Sequence, residues 1–77
     1  MVEAIVLIQV AVGESSPVAG GITKLDGVRS ADVVTGPYDV IARVAAKSVD
    51  ELGQLVISRI QAVPGVTRTL TCPVVRF

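Results

Sequence analysis

The chain has 77 residues, with seven basic and seven acidic side chains and a formal net charge of zero. Apolar residues make up 51% of it and aromatic residues only 3%, so its hydrophobic content is aliphatic. This composition excludes a disordered chain, and the zero net charge argues against a nucleic-acid-binding domain. The sequence has no His and one Cys, so it predicts no disulfide, metal or cofactor. We expect one small β-rich domain over residues 1–77.

The first predicted element is a strand over residues 2–12. Its even-numbered side chains are all apolar and its odd-numbered side chains are mixed, which is the pattern of a strand with one buried face. The segment lacks the positive start and the cleavage site of a signal peptide and is too short to span a bilayer. We therefore expect a cytoplasmic protein with no membrane partner, in which Cys72 is a reduced thiol inside the core.

The second predicted element is a helix that starts near Ser15 and Ser16, either of which can cap it. Val18, Ile22 and Leu25 follow at spacings of four and three, which place them on one face of that helix.

A β-hairpin is predicted next. Residues 28–35 and 38–46 have the composition of strands, and Gly36 and Pro37 between them favour a turn.

The second predicted helix has the clearest helical pattern in the chain. Ser48 and Glu51 form a capping box, in which Ser lies at the N-cap and Glu three residues later. Pro64 and Gly65 end the helix, and residues 66–77 predict the last strand. Apolar residues at spacings of three, four, four and three give this helical signal: Val49, Leu52, Val56, Ile60 and Val63.

An internal repeat supports a two-fold organisation of the chain. Residues 22–28 and 60–66 share an Ile, an apolar residue three positions later, and a Gly-Val pair. The order β-α-β-β-α-β predicts a ferredoxin-like α+β sandwich, with a four-stranded antiparallel sheet and both helices on one face. We expect the opposite, open face to be half polar and to join two copies as a homodimer. Its expected members are Ile5, Leu7, Gln9, Thr67, Thr69 and Thr71. The third strand adds Ile41 and Arg43, or the residues of opposite parity if it contains a bulge.

Catalytic chemistry is hard to find in this sequence. Cys72 has no His to act as its base, and no pair of carboxylates has a spacing that suggests acid–base work. We therefore predict a protein that is not an enzyme.

The hairpin tip concentrates polar and aromatic groups in residues 35–39. Turn chemistry explains them, because Gly and Pro form the bend and Asp39 bonds to nearby backbone. The alternative is the rim of a pocket, in which the amide of Gly36 holds a carboxylate and Asp39 holds an ammonium group, with Tyr38 as a flat wall. Both interpretations stay open at this stage.

The last strand carries Thr67, Thr69 and Thr71 at alternate positions. These residues suit a solvated strand face with high β propensity. Alternatively, their hydroxyl groups line a pocket or a subunit interface.

Three groups of residues, taken together, resemble a known family. The chain from about Val2 to Val75 is similar to the effector-binding domain of the Lrp/AsnC transcription regulators, also called the RAM domain. The residues that carry the resemblance are Gly27-Val28, Thr35-Gly36, Tyr38-Asp39, Ile60-Gln61, Val63, Gly65-Val66, Arg68-Thr69 and Thr71.

The resemblance implies homodimers that pair through their sheets and assemble into larger rings, often octamers. It also implies that a small effector, usually an amino acid, binds between neighbouring dimers. The residues at the matching positions are the hairpin residues Gly36, Tyr38 and Asp39 and the strand residues Thr67, Thr69 and Thr71. Arg68 is alternatively part of a salt bridge between subunits.

Full regulators of this family carry a helix-turn-helix domain before the module, whereas here Met1 is followed directly by the first strand. We therefore expect a stand-alone form that does not contact nucleic acid and that acts with full-length regulators or another protein. The alternatives are a small ferredoxin-like dimeric enzyme of the monooxygenase or isomerase type and an ACT-like regulatory domain.

Overall fold

The computed structural model describes residues 1–76 and has the element order β-α-β-β-α-β. The predicted ferredoxin-like fold is therefore confirmed. Phe77, at the end of the predicted last strand, lies outside the described residues. The elements are β1 (Val2–Val10), α1 (Ser15–Thr23), β2 (Val28–Val33), β3 (Val40–Ala46), α2 (Val49–Gln54), a π-helical segment (Leu55–Ile60) and β4 (Val66–Pro73).

The four strands form one antiparallel sheet in the order β2-β3-β1-β4. β1 and β3 are the central strands, so β2 and β4 are the edges. The pairing of β1 with β4 shifts between Gln9 and Val10, where β4 carries an extra residue and forms a bulge.

The core lies between one face of the sheet and the two helical regions. The even-numbered residues of β1 are buried from Ala4 to Ile8, which confirms the predicted apolar face. The strand ends before Val12, which is fully exposed beside the turn at Gly13. The largest fully buried side chains are Val6, Ile8, Val18, Ile22, Val40, Val44 and Ile60.

Helix α1 begins without a side-chain cap. Glu14 occupies the N-cap position, and its backbone carbonyl accepts a hydrogen bond from Val18 N at 3.0 Å. The prediction that Ser15 or Ser16 caps the helix is wrong, because both serines lie inside its first turn. Two members of the predicted face, Val18 and Ile22, are buried in the helix, whereas Leu25 lies after the helix end and is partly buried against the core.

The second helical region starts as predicted but does not continue as a regular α-helix. Ser48 Oγ accepts a hydrogen bond from Glu51 N at 3.1 Å, which confirms the N-cap. After Gln54 the chain is π-helical, and Gln61 N donates to Val56 O at 3.0 Å. Because the i→i+5 spacing widens the turn, Leu55 packs inward beside Val56.

The internal repeat corresponds to a repeated backbone structure. Gly27 and Gly65 have φ angles of 91° and 99°, which favour glycine. Their carbonyl oxygens accept hydrogen bonds of 2.8 Å from Ala45 N and Ala11 N respectively. Each half of the chain therefore ends its helix with the same turn, tied to a neighbouring strand.

The open face of the sheet matches the prediction in β1 and β3 but not in β4. Leu7 lies opposite Ile41. Thr69 lies opposite Ile8 and Thr71 lies opposite Val6, so these threonines are on the helix-covered side. The prediction for β4 is wrong because neither face of this strand is uniformly apolar, and its side-chain alternation does not show which face is buried. The β4 residues on the open face are Arg68, Leu70 and Cys72.

Cys72 is exposed on this face, opposite Ile5. The prediction of a core thiol is therefore wrong.

Candidate functional site

The hairpin tip is a loop of residues 34–39, longer than the predicted turn. Gly36 is exposed with a φ of 143°, and a Cβ added there would meet nothing within 4 Å. Pro37 O accepts a hydrogen bond of 3.0 Å from Gln9 Nε2. Tyr38 lies outside the strand and is half-buried. The loop is therefore attached to β1 and presents both Gly36 and Tyr38 at the surface.

Asp39 holds this loop against the end of β1. Its backbone N donates to Ile8 O at 2.9 Å, and its Oδ2 accepts from Val10 N at 2.9 Å. The sequence suggested that Asp39 bonds to backbone within the turn, whereas its carboxylate bonds to β1, 29 positions away in the chain. This hydrogen bond engages one carboxylate oxygen of Asp39.

Thr69 and Thr71 line a groove between the second helical region and the edge strand, which we call the β4 groove. Leu52 and Val56 are its buried apolar residues, and Ile57 is 66% exposed beside them. The groove has a volume of about 360 Å³. Among the residues that the structure describes, no charged side chain lines it.

A second depression, which we call the Arg68 recess, adjoins the β4 groove and shares Gln61 and Thr69 with it. It has a volume of about 380 Å³ and is also lined by Val66, Thr67 and Arg68. Gln61 Nε2 donates to Thr69 Oγ1 at 2.9 Å, so this hydrogen bond lies at the boundary between the two depressions. Thr67 lies in the bulge of β4, where no residue of β1 is opposite it.

The two halves of the predicted site lie at the same end of the sheet but on opposite sides of β1. The hairpin precedes β3 and the threonines belong to β4, and β1 separates these two strands. Because neighbouring strands are about 4.8 Å apart, the two halves are separated by roughly two strand spacings. One copy of the chain brings the threonines together with Gln61, but not with Tyr38.

Sequence analysis did not assign Gln61, Val56 or Ile57 to the site. Gln61 is among the residues that carry the family resemblance, but it lies off the apolar stripe of the helix, and its spacing did not predict a contact with β4. Its contact with Thr69 depends on the packing of the π-helical segment against β4. Val56 was assigned to the core alone, although it also lines the groove.

The one shifted pKa among the described residues lies away from this site. Arg76 Nη2 donates to Glu3 Oε2 at 2.6 Å, and this hydrogen bond holds the pKa of Glu3 below its ordinary value. Within residues 1–76 there is no group of three or more His, Cys, Asp or Glu residues suited to hold a metal ion. No helix in that range is long and apolar enough to cross a membrane.

Residues 3–77 match the family model described as the Lrp/AsnC ligand binding domain. The chain belongs to this family. The resemblance seen in the sequence is therefore confirmed, and the family is a regulatory ligand-binding domain of transcription regulators.

Solved structures agree with this assignment. A protein of Thermus thermophilus is 36% identical, with a TM-score of 0.93, and the match covers 100% of this chain and 96% of that one. Escherichia coli AsnC is 25% identical, with a TM-score of 0.90 over 99% of this chain and 52% of AsnC.

Curated relatives are longer than this Lrp/AsnC ligand-binding domain. An HTH-type transcriptional regulator of Pyrococcus furiosus is 35% identical over 54 residues, which are 70% of this chain and 36% of the regulator. A homocitrate synthase of Sulfolobus acidocaldarius is 44% identical over 50 residues, which are 65% of this chain and 10% of the synthase. The chain thus matches about a third of the regulator and a tenth of the synthase.

Proposed function

We propose that this chain is an oligomeric regulatory module that binds a small effector, an amino acid or a related metabolite, and has no catalytic activity of its own. The observation that carries the proposal is the match of residues 3–77 to a ligand-binding domain family. The β4 groove supplies a fitting cavity, because its volume of about 360 Å³ falls in the range of small-molecule sites, about 300–1,000 Å³.

The relatives support a role separate from both DNA binding and catalysis. Similar segments occur in proteins named as HTH-type transcriptional regulators and in proteins named as homocitrate synthases. The segment is a minor part of each, at 36% and 10% of the length. The same kind of segment thus occurs in proteins with two different activities. We infer that it contributes a property common to both, which is to bind an effector and to associate with other copies. We propose that it regulates in the same way here, through full-length regulators or another protein.

We propose that the effector site is shared between copies of the chain. The hairpin residues Gly36, Tyr38 and Asp39 and the threonines Thr67, Thr69 and Thr71 lie on opposite sides of β1. A site built from both groups therefore takes the hairpin from one copy and the β4 groove from another, as the resemblance implies for effectors between dimers. Binding would then stabilise the assembly that presents the complete site.

The effector prediction is tested by a thermal-shift screen of the standard amino acids. An effector at a hundredfold excess over its Kd stabilises the folded state by about 2.7 kcal/mol. For a domain of this size, that is on the order of 10 °C in Tm. We expect at least one amino acid to give such a shift, and we expect Tyr38→Ala to abolish it. Val75→Ala is the control, because Val75 is exposed and follows Val74, which bonds to Glu3 at the end of the sheet away from the hairpin tip. A screen in which no amino acid or related acid shifts Tm contradicts the proposal.

We also propose that the first level of assembly is a homodimer through the open sheet face. Leu7 and Ile41 are half-buried there, and Leu70, opposite Leu7, is 46% exposed in a single copy. Apolar side chains at the centre of an uncovered sheet favour burial against a second sheet. The two-fold symmetry of such a dimer brings the same residues of both copies to the interface.

The dimer predicts a specific effect of Leu70→Asp. A buried carboxylate without a partner costs several kcal/mol, and the two-fold axis introduces it twice. We expect the variant to sediment at the monomer mass, measured by analytical ultracentrifugation. Val12→Asp places the same charge on a fully exposed residue outside the sheet and should leave the mass unchanged. A wild-type chain that sediments at the monomer mass would contradict the proposed interface.

A further inference from the structure

The hairpin loop is attached to the rest of the domain at two separate points. At the base of the loop, Asp39 bonds to Ile8 and Val10 of β1. At the tip, Pro37 O accepts a hydrogen bond of 3.0 Å from Gln9 Nε2. Within the described part of the chain, Gln9 is the one side chain outside the loop that bonds to the tip. The position of the tip against β1 therefore depends on Gln9.

Gln9 projects from β1 on the open face of the sheet. Its neighbour Ile8 is buried on the helix-covered side, and Gln9 itself lies opposite Arg68 of β4. Leu7 precedes it by two residues on the same face, at a distance of about 7 Å along the strand. A second sheet that covers Leu7 and Leu70 in the proposed homodimer therefore also comes against Gln9.

Covering the open face changes what the hydrogen bond to Pro37 contributes. In a single copy Gln9 is half-buried and Pro37 is exposed, so water competes for both the amide donor and the carbonyl acceptor. In a dimer the second sheet removes water from the Gln9 side chain. A buried amide without a partner is unfavourable, so the side chain has to keep its bond to Pro37 O. Pairing of the sheets therefore favours a tip that is held against β1.

We infer that Gln9 is a positioning residue that links pairing of the open sheet faces to the placement of the hairpin tip. It acts through Pro37, which lies between the proposed effector residues Gly36 and Tyr38. A copy whose sheet is paired then presents a held tip to the β4 groove of a neighbouring copy, whereas an unpaired copy presents a loose one. The inference rests on the proposed homodimer and effector site, and it names the residue that connects them.

Tyr38 reports on the tip without any ligand. It is the one tyrosine of the chain, which has no tryptophan, so the intrinsic fluorescence comes from the tip. Gln9→Met removes the N–H donor and keeps a side chain of similar length. Loss of one hydrogen bond lowers the ratio of held to loose tip by about fivefold, so we expect acrylamide to quench Tyr38 more strongly in the variant. Gln54→Met makes the same change at an exposed helix residue and should leave the quenching unchanged.

Leu70→Asp separates the link from a purely local role of Gln9. We expect this variant to be a monomer, so its tip has no paired sheet to hold it. Gln9→Met should raise the quenching of Tyr38 in the dimer but add little in the Leu70→Asp background. If Leu70→Asp does not fold, dilution of the wild-type chain and of Gln9→Met to the monomer mass replaces it. An equal rise in both backgrounds overturns the link, and unchanged quenching in Gln9→Met overturns the positioning role.

An effector measurement keeps this inference apart from the proposed function. The probe is an equimolar mixture of the standard amino acids, added to the full chain in the thermal-shift assay. Because a loose tip is not competent to bind, we expect Gln9→Met to need about fivefold more of the mixture for the same shift in Tm. Equal shifts at equal concentrations contradict a role of Gln9 in the site.

The remaining outcomes also separate the two claims. A mixture that shifts the Tm of neither protein defeats the effector function, whereas the quenching of Tyr38, measured without ligand, still decides the role of Gln9. A wild-type chain that stays monomeric contradicts both the dimer and the link.

Discussion

Ile60→Ala should lower the free energy of unfolding by about 2–5 kcal/mol, because it deletes a large side chain from a closed core. Ile60 is fully buried at the end of the π-helical segment and packs within the cluster that joins the helices to the sheet. The substitution removes apolar contacts and leaves a cavity that the neighbouring side chains fill only in part. In a domain of this size, the loss corresponds to a fall in Tm on the order of 10 °C or more.

Ile57→Ala is the matched control, because it makes the same chemical change in the same segment at a residue that is 66% exposed. We expect its free energy of unfolding to stay within about 0.5 kcal/mol of the wild-type value. The free energies of unfolding of both variants are measured by denaturant unfolding. No ligand is added, because Ile57 also lines the β4 groove and its substitution could change ligand binding. Equal losses of unfolding free energy in the two variants would contradict the burial of Ile60 and the exposure of Ile57.

Gly65→Ala should destabilise the fold by about 2 kcal/mol or more, for two independent reasons. Gly65 has a φ of 99°, a conformation that costs a residue with a Cβ about 1–3 kcal/mol. An added Cβ would also lie 2.8 Å from Val18 Cγ2, and Val18 is fully buried. Either the backbone turn or the packing of α1 must therefore shift.

Gly20→Ala is the same substitution at another position, and we expect it to raise the stability of the fold. Gly20 lies within α1, and an added Cβ would meet nothing within 4 Å. Alanine has the higher helix propensity, so we expect a gain of about 0.5–1 kcal/mol. The two Tm values should lie on opposite sides of the wild-type value. A Gly65→Ala variant as stable as wild type would contradict the role of this residue in the repeated turn.

The residues of the candidate site were chosen from the sequence, and the structure shows how they are arranged. The hairpin residues and the threonines were named from their types and order, and both groups lie at one end of the sheet. The sequence placed Thr69 and Thr71 on the open face, whereas the pairing with Val6 and Ile8 places them beside the helices. When neither face of a strand is uniformly apolar, its own sequence does not indicate which face is buried. The register with its partner strand then decides this.

The contact of Gln61 with Thr69 could not be predicted from the sequence, for a related reason. A hydrogen bond between a residue after a helix and a residue in an edge strand depends on how far the helix turns before it ends. The π-helical segment changes that turn, and apolar spacing alone predicts a regular α-helix instead. The Arg68 recess depends on the same packing, because Gln61 lines it beside β4.

The sequence by itself determined the element order, the internal repeat, the capped start of the second helix and the apolar face of β1. These features are local, since each depends on spacing within about ten residues and on the backbone preferences of Gly, Pro and Ser. Only the tertiary structure decided which face of β4 is covered, how Asp39 ties the hairpin to β1, and where the Arg68 recess lies. Those features depend on strand register and on the path of the second helix, which join residues far apart in the chain. The arrangement of the candidate site is therefore a consequence of packing between elements that the sequence specifies one at a time.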